Sequence, residues 1–364
     1  MRRIAAWGLL ATALALSPAA TAAVSATRDA RVVLDRVVEA GSPGALVLVD
    51  DRGSRVAAAS GLAVLDGVVP LRPGDRFRVG SITKTFVAVV ALQLVAERRL
   101  ALDDTVEDWL PGLVPAGRRI TLRDLLAHTS GLDDYAGDKA FLRRTVTDPR
   151  RRWSPRELVR VALRQGLVAP PGARFAYAST NYILLGMAIE RATGTTLARL
   201  LRRRIIEPLR LLDTSFVPGS RISGPHAHGY APSQHDGIVA GLATAVDRSR
   251  DGASWAWAAG AVVSTAPDLS RFLNALLRGD LVPKALLAQM LPTPGSRYGL
   301  GLAAFRTPCG TAIGHTGNLL GTVSAAWSSP DGARRVVAMT NSYPLSPDAD
   351  TAFRSLLDTA FCGR

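Results

Sequence analysis

Gly80-Ser81-Ile82-Thr83-Lys84-Thr85-Phe86-Val87-Ala88-Val89-Val90-Ala91-Leu92 holds the most informative pairing in this chain, a serine and a lysine three residues apart at the head of an apolar run. The pattern predicts a helix from Gly80 to Arg98, capped by Gly80 or Ser81. On a helix, positions i and i+3 share one face about 5–6 Å apart at Cβ, so Lys84 can reach the Ser81 hydroxyl. The chain has three lysines, Lys84, Lys139 and Lys284, among 44 basic residues. Arginine keeps its proton near neutral pH, whereas a desolvated lysine can release it. The partial positive charge of a helix N-terminus and a burial penalty both push the amine toward its neutral form. The pair is therefore a candidate nucleophile with its activator, and backbone N–H groups at the same place can stabilise an oxyanion.

Outward from this helix, the pattern changes period several times. Residues 29–39 carry Val32, Val33, Val37 and Val38 at helical spacing. Ala45–Val49 and Val56–Ala59 flank a turn and predict a hairpin. Helices are expected at Thr105–Leu110, Thr121–His128, Pro155–Gln165, Tyr182–Thr193 and Leu197–Arg203, with Gly131 and Gly194 as stops. Residues 217–258 are rich in Gly, Ser, His and Pro and read as loops. A helix at Ala266–Leu277, strands at Thr311–Thr316, Val323–Trp327 and Val336–Thr340, and a last helix from about 348 to 361 complete the pattern. No internal repeat at a period of 20–50 residues is visible. The expected class is α+β: a sheet from both chain ends (about 29–101 and 259–364) with flanking helices, around a mostly helical lobe (about 102–258).

Met1-Arg2-Arg3, the apolar run Ile4–Leu16 and Ala20-Thr21-Ala22 form the three parts of a secretory signal, expected over residues 1–22. Val24-Ser25-Ala26 is a second choice of cleavage triplet. No later stretch reaches about 18 uninterrupted apolar residues, so export and release are expected, with no stable membrane span. The two cysteines, Cys309 and Cys362, then read as one disulfide tying a strand near the site to the last helix. The net charge of +14 is mostly arginine. Arg150-Arg151-Arg152 and Arg202-Arg203-Arg204 lack interleaved aromatics, which excludes a base-stacking platform and argues against nucleic-acid binding.

Three motifs follow in order: Ser81-Ile82-Thr83-Lys84, Tyr177-Ala178-Ser179, and His315-Thr316-Gly317 within Gly314-His315-Thr316-Gly317-Asn318. Together they resemble the active-site motifs of the serine β-lactamase and penicillin-binding-protein superfamily, whose class A members carry the Ser-x-x-Lys element. The third motif is more similar to that of D-alanyl-D-alanine carboxypeptidases and esterases of the class C type. His128-Thr129-Ser130-Gly131-Leu132, Gly299-Leu300-Gly301-Leu302 and the Cys309 to Cys362 tail resemble the exported carboxypeptidases of that group. The resemblance covers about residues 29–364. It implies a β-lactamase/transpeptidase-like fold with no cofactor and no metal. It implies Ser81 as nucleophile, Lys84 and Tyr177 as proton carriers, and His315 lining the site near Tyr177. It puts the oxyanion donors at Ser81 and Asn318, substrate contacts at Ser179, Thr316 and Gly317, and Trp255 near the cleft entrance. Gly317, lacking a side chain, is expected to let substrate backbone come close.

The chain departs from the family at two places. Ser179 stands where the second motif usually ends in asparagine, and Asn181, two residues on, is not a ready substitute. After Gly-Leu-Gly-Leu, where carboxypeptidases tend to place a basic residue, the run is Ala303-Ala304-Phe305-Arg306. The favoured expectation is a secreted or cell-wall-associated D-alanyl-D-alanine carboxypeptidase-like hydrolase acting through an acyl-enzyme. Its partners would be a peptidoglycan peptide or another small acyl substrate, with β-lactams as covalent ligands. An esterase or β-lactamase with the same machinery is the alternative, and a non-catalytic wall-binding protein is the alternative of another class. His128 reads as structural. His226, His228 and His235 read as loop histidines, lacking the spacing of a zinc site.

Overall fold

The Ala45–Val49 and Val56–Ala59 runs fold as the expected hairpin. β1 (Gly44–Asp51) and β2 (Ser54–Val64) pair antiparallel with Asp51 opposite Ser54. Arg52 and Gly53 between them have φ of 47° and 90°, the mirror-image two-residue turn whose twist matches that of paired strands. The other edge of β1 takes a strand from the far end of the chain. Ala45 faces Thr340 of β7 (Arg334–Thr340). With β3 (Val69–Pro70), β4 (Ala303–Thr307), β5 (Gly310–Leu319) and β6 (Thr322–Ser328), the sheet has seven strands in the order β4-β5-β6-β7-β1-β2-β3. This computed structural model describes residues 30–231, 234–235, 238–239, 245–293 and 295–363. The signal expected at residues 1–22 lies outside them.

Period-two alternation gives the sheet two buried faces. Ala45 and Val47 of β1 pack with Leu34 and Val37 of α1 (30–39) and with Phe353 and Phe361 of α6 (Pro347–Cys362). Leu46 and Leu48 enter the larger core that holds α2 (Thr83–Ala96). Within α2, Phe86 to Leu92 are no more than 1% exposed. A helix apolar on every side must lie between layers. Accordingly Phe86 stacks on Phe272 of α5 (Ala266–Leu277), ring centroids 3.7 Å apart.

The middle of the chain is helical, as the pattern predicts. Capping boxes at Thr105/Asp108, Thr121/Asp124 and Ser154/Glu157 set where three of its helices begin. The structure corrects four local readings. Gly80–Ile82 form a tighter 3₁₀ turn before α2 begins at Thr83. α3 (Leu122–Ala127) stops at His128, which has left-handed φ and ψ of 58° and 40°, and not at Gly131. Gly131 is glycine for another reason: a Cβ there would lie 2.0 Å from the Ala169 carbonyl oxygen. α4 (Ser179–Thr193) starts three residues earlier than expected and ends, as expected, on left-handed Gly194. The helices Lys139–Thr147, capped by Asp138, and Lys284–Met290 are additional to the expected set.

Candidate active site

Ser81 sits in the 3₁₀ turn and Lys84 in the first turn of α2, so the i, i+3 geometry holds across the junction. Lys84 is fully buried. Its Nζ donates to Ser81 Oγ at 2.9 Å and to the Ala259 carbonyl at 2.9 Å. Both partners are neutral oxygens, and the Ala259 carbonyl holds the amine aimed at Ser81.

β5 brings the third motif to this turn. Its contact with the 79–81 backbone is closer than any side chain allows. A Cβ on Gly317 would lie 2.0 Å from the Val79 carbonyl oxygen and 2.8 Å from Ser81 N. A Cβ on Gly80 would lie 2.6 Å from Asn318 N. Gly317 is thus glycine so that strand and turn can meet, a reason the sequence did not show. The same contact brings the backbones of Ser81 and Asn318, the pair expected to receive an oxyanion, to one junction. Hydroxyls pin the junction: Thr322 Oγ1 donates to the Arg78 carbonyl and Ser324 Oγ to that of Val79. β4 pairs with β5 only as far as Gly314. Residues 315–319 therefore keep one ladder edge without a strand partner among the described residues, with Thr316 half-exposed and Asn318 exposed. An extended substrate can add to such an edge.

Tyr177 places its ring centroid 5.1 Å from Lys84 Nζ and is 39% exposed, so it borders both the amine and solvent. His315 does not hydrogen-bond Tyr177, and their ring centroids are 6.4 Å apart. It faces Tyr298 instead. His315 Nδ1 meets the Thr316 carbonyl, which only accepts, so the proton is on Nδ1 and Tyr298 donates its hydroxyl to Nε2 at 3.0 Å. Burial foremost, with Lys84 nearby, pushes the His315 imidazole down to about 3. It stands as a neutral acceptor. Burial pushes the Tyr298 phenol well up and keeps it protonated. Sequence reasoning missed Tyr298, whose one signal is its place just before Gly299-Leu300-Gly301-Leu302.

The remaining site residues divide. Ser179 opens α4 beside Tyr177 and is half-buried. Asn181 turns inward: it is fully buried, accepts from Ser130 Oγ and faces His128 Nδ1 at 3.0 Å. Trp255 is half-buried against a cluster that includes Leu319, one residue beyond Asn318, and its carbonyl accepts the Tyr135 hydroxyl at 2.7 Å. Arg306 is exposed and pairs with Thr311, three ladder positions or about 10 Å from Gly314. Ala303 holds the place opposite Gly314. Cys309 and Cys362 are bonded, with Cα atoms 5.6 Å apart. Cys309 precedes β5 by one residue and is about 20 Å along the strand from His315, so the bond ties the outer hairpin, not the site, to α6. His226 meets the Gly224 carbonyl, and His228 pairs with Asp247 at 2.8 Å. The His235 side chain lies outside the described ones.

A buried lysine on a serine at a helix mouth, beside an open strand edge, defines a site for acyl transfer. Residues 20–361 match the family model described as Beta-lactamase. The chain belongs to that family, within the serine β-lactamase and penicillin-binding-protein superfamily. It is similar to Penicillin-binding protein 4* of Bacillus subtilis (30% identical, covering 59% of this chain and 48% of that protein). It is also similar to Esterase EstB of Burkholderia gladioli (32% identical, covering 62% and 59%). The chain thus spans about half the length of the curated relatives it matches. Among solved structures, a D-stereospecific amidohydrolase from Streptomyces sp. superposes with a TM-score of 0.82 at 36% identity, covering 93% of this chain and 99% of that one. The D-amino acid amidase of Ochrobactrum anthropi SV3, complexed with L-phenylalanine, gives 0.81 at 27% identity, covering 93% and 98%.

Proposed function

We propose that this protein cleaves small amides and esters that carry no terminal carboxylate, D-aminoacyl amides foremost, through an acyl-enzyme on Ser81. The observation that carries the hydrolytic reading is the fully buried Lys84 amine 2.9 Å from Ser81 Oγ. In the proposed cycle, Ser81 Oγ bonds to the substrate carbonyl carbon as its proton passes to Lys84. The oxyanion sits between the N–H groups of Ser81 and Asn318. Tyr177 relays the proton to the departing amine or alcohol as the C–N or C–O bond breaks. Water then attacks the ester, and Ser81 recovers its proton.

The substrate class follows from charge. A terminal carboxylate calls for a cation, and just after Gly-Leu-Gly-Leu, where carboxypeptidases tend to place one, this chain carries Ala303, Ala304 and Phe305. The solved relative titled a D-stereospecific amidohydrolase supports an amide substrate of D configuration. The carboxypeptidase expectation draws its support from the penicillin-binding relatives and is the competing outcome. Turnover of D-phenylalanine amide, a short-chain aryl ester, a D-Ala-D-Ala peptide and a chromogenic cephalosporin, on wild type and Ser81→Ala, separates the readings. Faster turnover of the amide and ester, lost in Ser81→Ala, is expected. A preference for the D-Ala-D-Ala peptide restores the carboxypeptidase. Binding to wall material with no turnover and no covalent adduct defeats the enzymatic reading. Export and association with the cell wall are part of the proposal; cleavage near residue 22 in secreted material tests them.

A further inference from the structure

His128 is the least comfortable residue near the site. It caps α3 in the left-handed region, where glycine or asparagine is usual. Its imidazole is fully buried, and among the described residues Nε2 has no hydrogen-bond partner. A buried polar atom left bare in a strained residue asks for a reason beyond packing.

Its contacts supply one. Nδ1 lies 3.2 Å from the Ala178 N–H, which donates to it, and 3.0 Å from the Asn181 side-chain amide. Ser130 Oγ takes an N–H from Leu132, so its own proton goes to Asn181 Oδ1. The Asn181 NH₂ is therefore the end facing His128. Two donors on Nδ1 make it an acceptor and put the ring proton on Nε2. The ring lies 4.2 Å from that of Tyr177 at a 30° tilt. It meets Tyr298, the partner of His315, edge-on at 4.8 Å. One imidazole thus touches the second motif directly and reaches His315 of the third through Tyr298.

We propose that His128 is a positioning residue for Tyr177: by holding the Ala178 N–H on Nδ1 and stacking against the phenol ring, it sets the direction in which Tyr177 faces Lys84 and Ser81. The proposal rests on the reading of Tyr177 as proton carrier. It explains why an imidazole is kept where glycine would be easier: glycine offers neither acceptor nor ring. Burial foremost, with Lys84 nearby, holds His128 well below the usual histidine range and keeps the accepting form in place.

The test compares His128→Phe, His128→Asn, Tyr177→Phe and the Tyr177→Phe/His128→Phe double variant on an aryl ester. Phenylalanine keeps the ring and loses the acceptor. Asparagine tolerates the left-handed backbone and offers its amide oxygen to Ala178. His128→Phe is expected to lower kcat at least tenfold with KM within about threefold, and His128→Asn to lose less. The double variant is expected to be no slower than Tyr177→Phe, because a residue acting through Tyr177 has nothing left to position. Wild-type kcat in His128→Phe, or multiplying losses in the double variant, overturns the proposal. Wild-type activity in Tyr177→Phe instead sinks the proton-carrier reading beneath it. If His128→Phe does not fold, ¹⁵N-histidine NMR of the wild type decides. A neutral His128 with its proton on Nε2 from pH 5 to 8 is expected; an Nδ1–H or doubly protonated ring leaves Ala178 without its acceptor and refutes the role.

Discussion

At the scale of single residues, the site is a set of buried polar groups held by a few specific partners. Lys84 has Ser81 Oγ and the Ala259 carbonyl as its partners. Lys84→Met keeps a similar volume and removes the amine, so the fold is expected to survive while acylation falls by about 10²–10⁴-fold. Mass spectrometry of the acyl-enzyme, with a melting curve beside it, checks both halves. Lys84→Arg is a poorer probe, since a fully buried site has no room for a guanidinium. His315 makes a different prediction. Its folded-state value lies near 3 against an ordinary 6.5. The unfolded chain thus binds the proton first as pH falls. Stability is full above about 6.5 and declines down to about 3, by at most on the order of 5 kcal/mol. His128 acts in the same direction. The melting temperature is expected to drop between pH 6.5 and 4, and the drop to be shallower in His315→Asn. An equal slope in both proteins would show that His315 does not contribute.

At the scale of elements, the site exists because a strand and a helical turn meet without side chains between them. Gly317→Ala would put a methyl 2.0 Å from the Val79 carbonyl oxygen. Strand β5 must then part from the 79–81 turn, and the Asn318 and Ser81 nitrogens with it. A loss of about 1–3 kcal/mol is expected, as for other overpacked sites. Activity is expected to fall further than stability alone explains. Urea midpoints together with kcat on one substrate separate the two effects. The sequence showed that Gly317 matters but not why, because a glycine's neighbour across the fold is invisible in a linear pattern. The same blindness misread Gly131, whose partner is the Ala169 carbonyl. Elements with a local signature were legible: the β1–β2 hairpin, the apolar α2, the capped helices and the strands β5 to β7. Tyr298 and His128 were not, since their importance comes from what converges on them in space. The Ser-x-x-Lys pair was legible because its geometry is helical and therefore local.

At the scale of the whole molecule, the sheet joins the two ends of the chain, and the Cys309–Cys362 bond closes that union at its outer edge. The cysteines are 53 residues apart. In the chain-entropy description, closing a loop of that length removes enough freedom from the unfolded chain to stabilise the fold by on the order of 4 kcal/mol. The bond joins the β4–β5 turn to the end of α6, while the site occupies the opposite end of β5, about 20 Å away. Thermal stability and catalysis should therefore separate. The Cys309→Ser/Cys362→Ser double variant is expected to melt roughly 4–8 °C lower than wild type. At 25 °C its kcat and KM on the ester substrate are expected to stay within about twofold, because α1, β1 and β7 still hold the sheet that carries His315 to Asn318. Reducing wild type with a thiol should reproduce the variant's melt and leave the variant itself unmoved. A variant that melts with wild type would show that packing of Phe353, Leu357 and Phe361 on the sheet already holds α6. A variant that keeps its melt but loses activity would mean that the outer hairpin governs the open edge of β5 across the length of the strand.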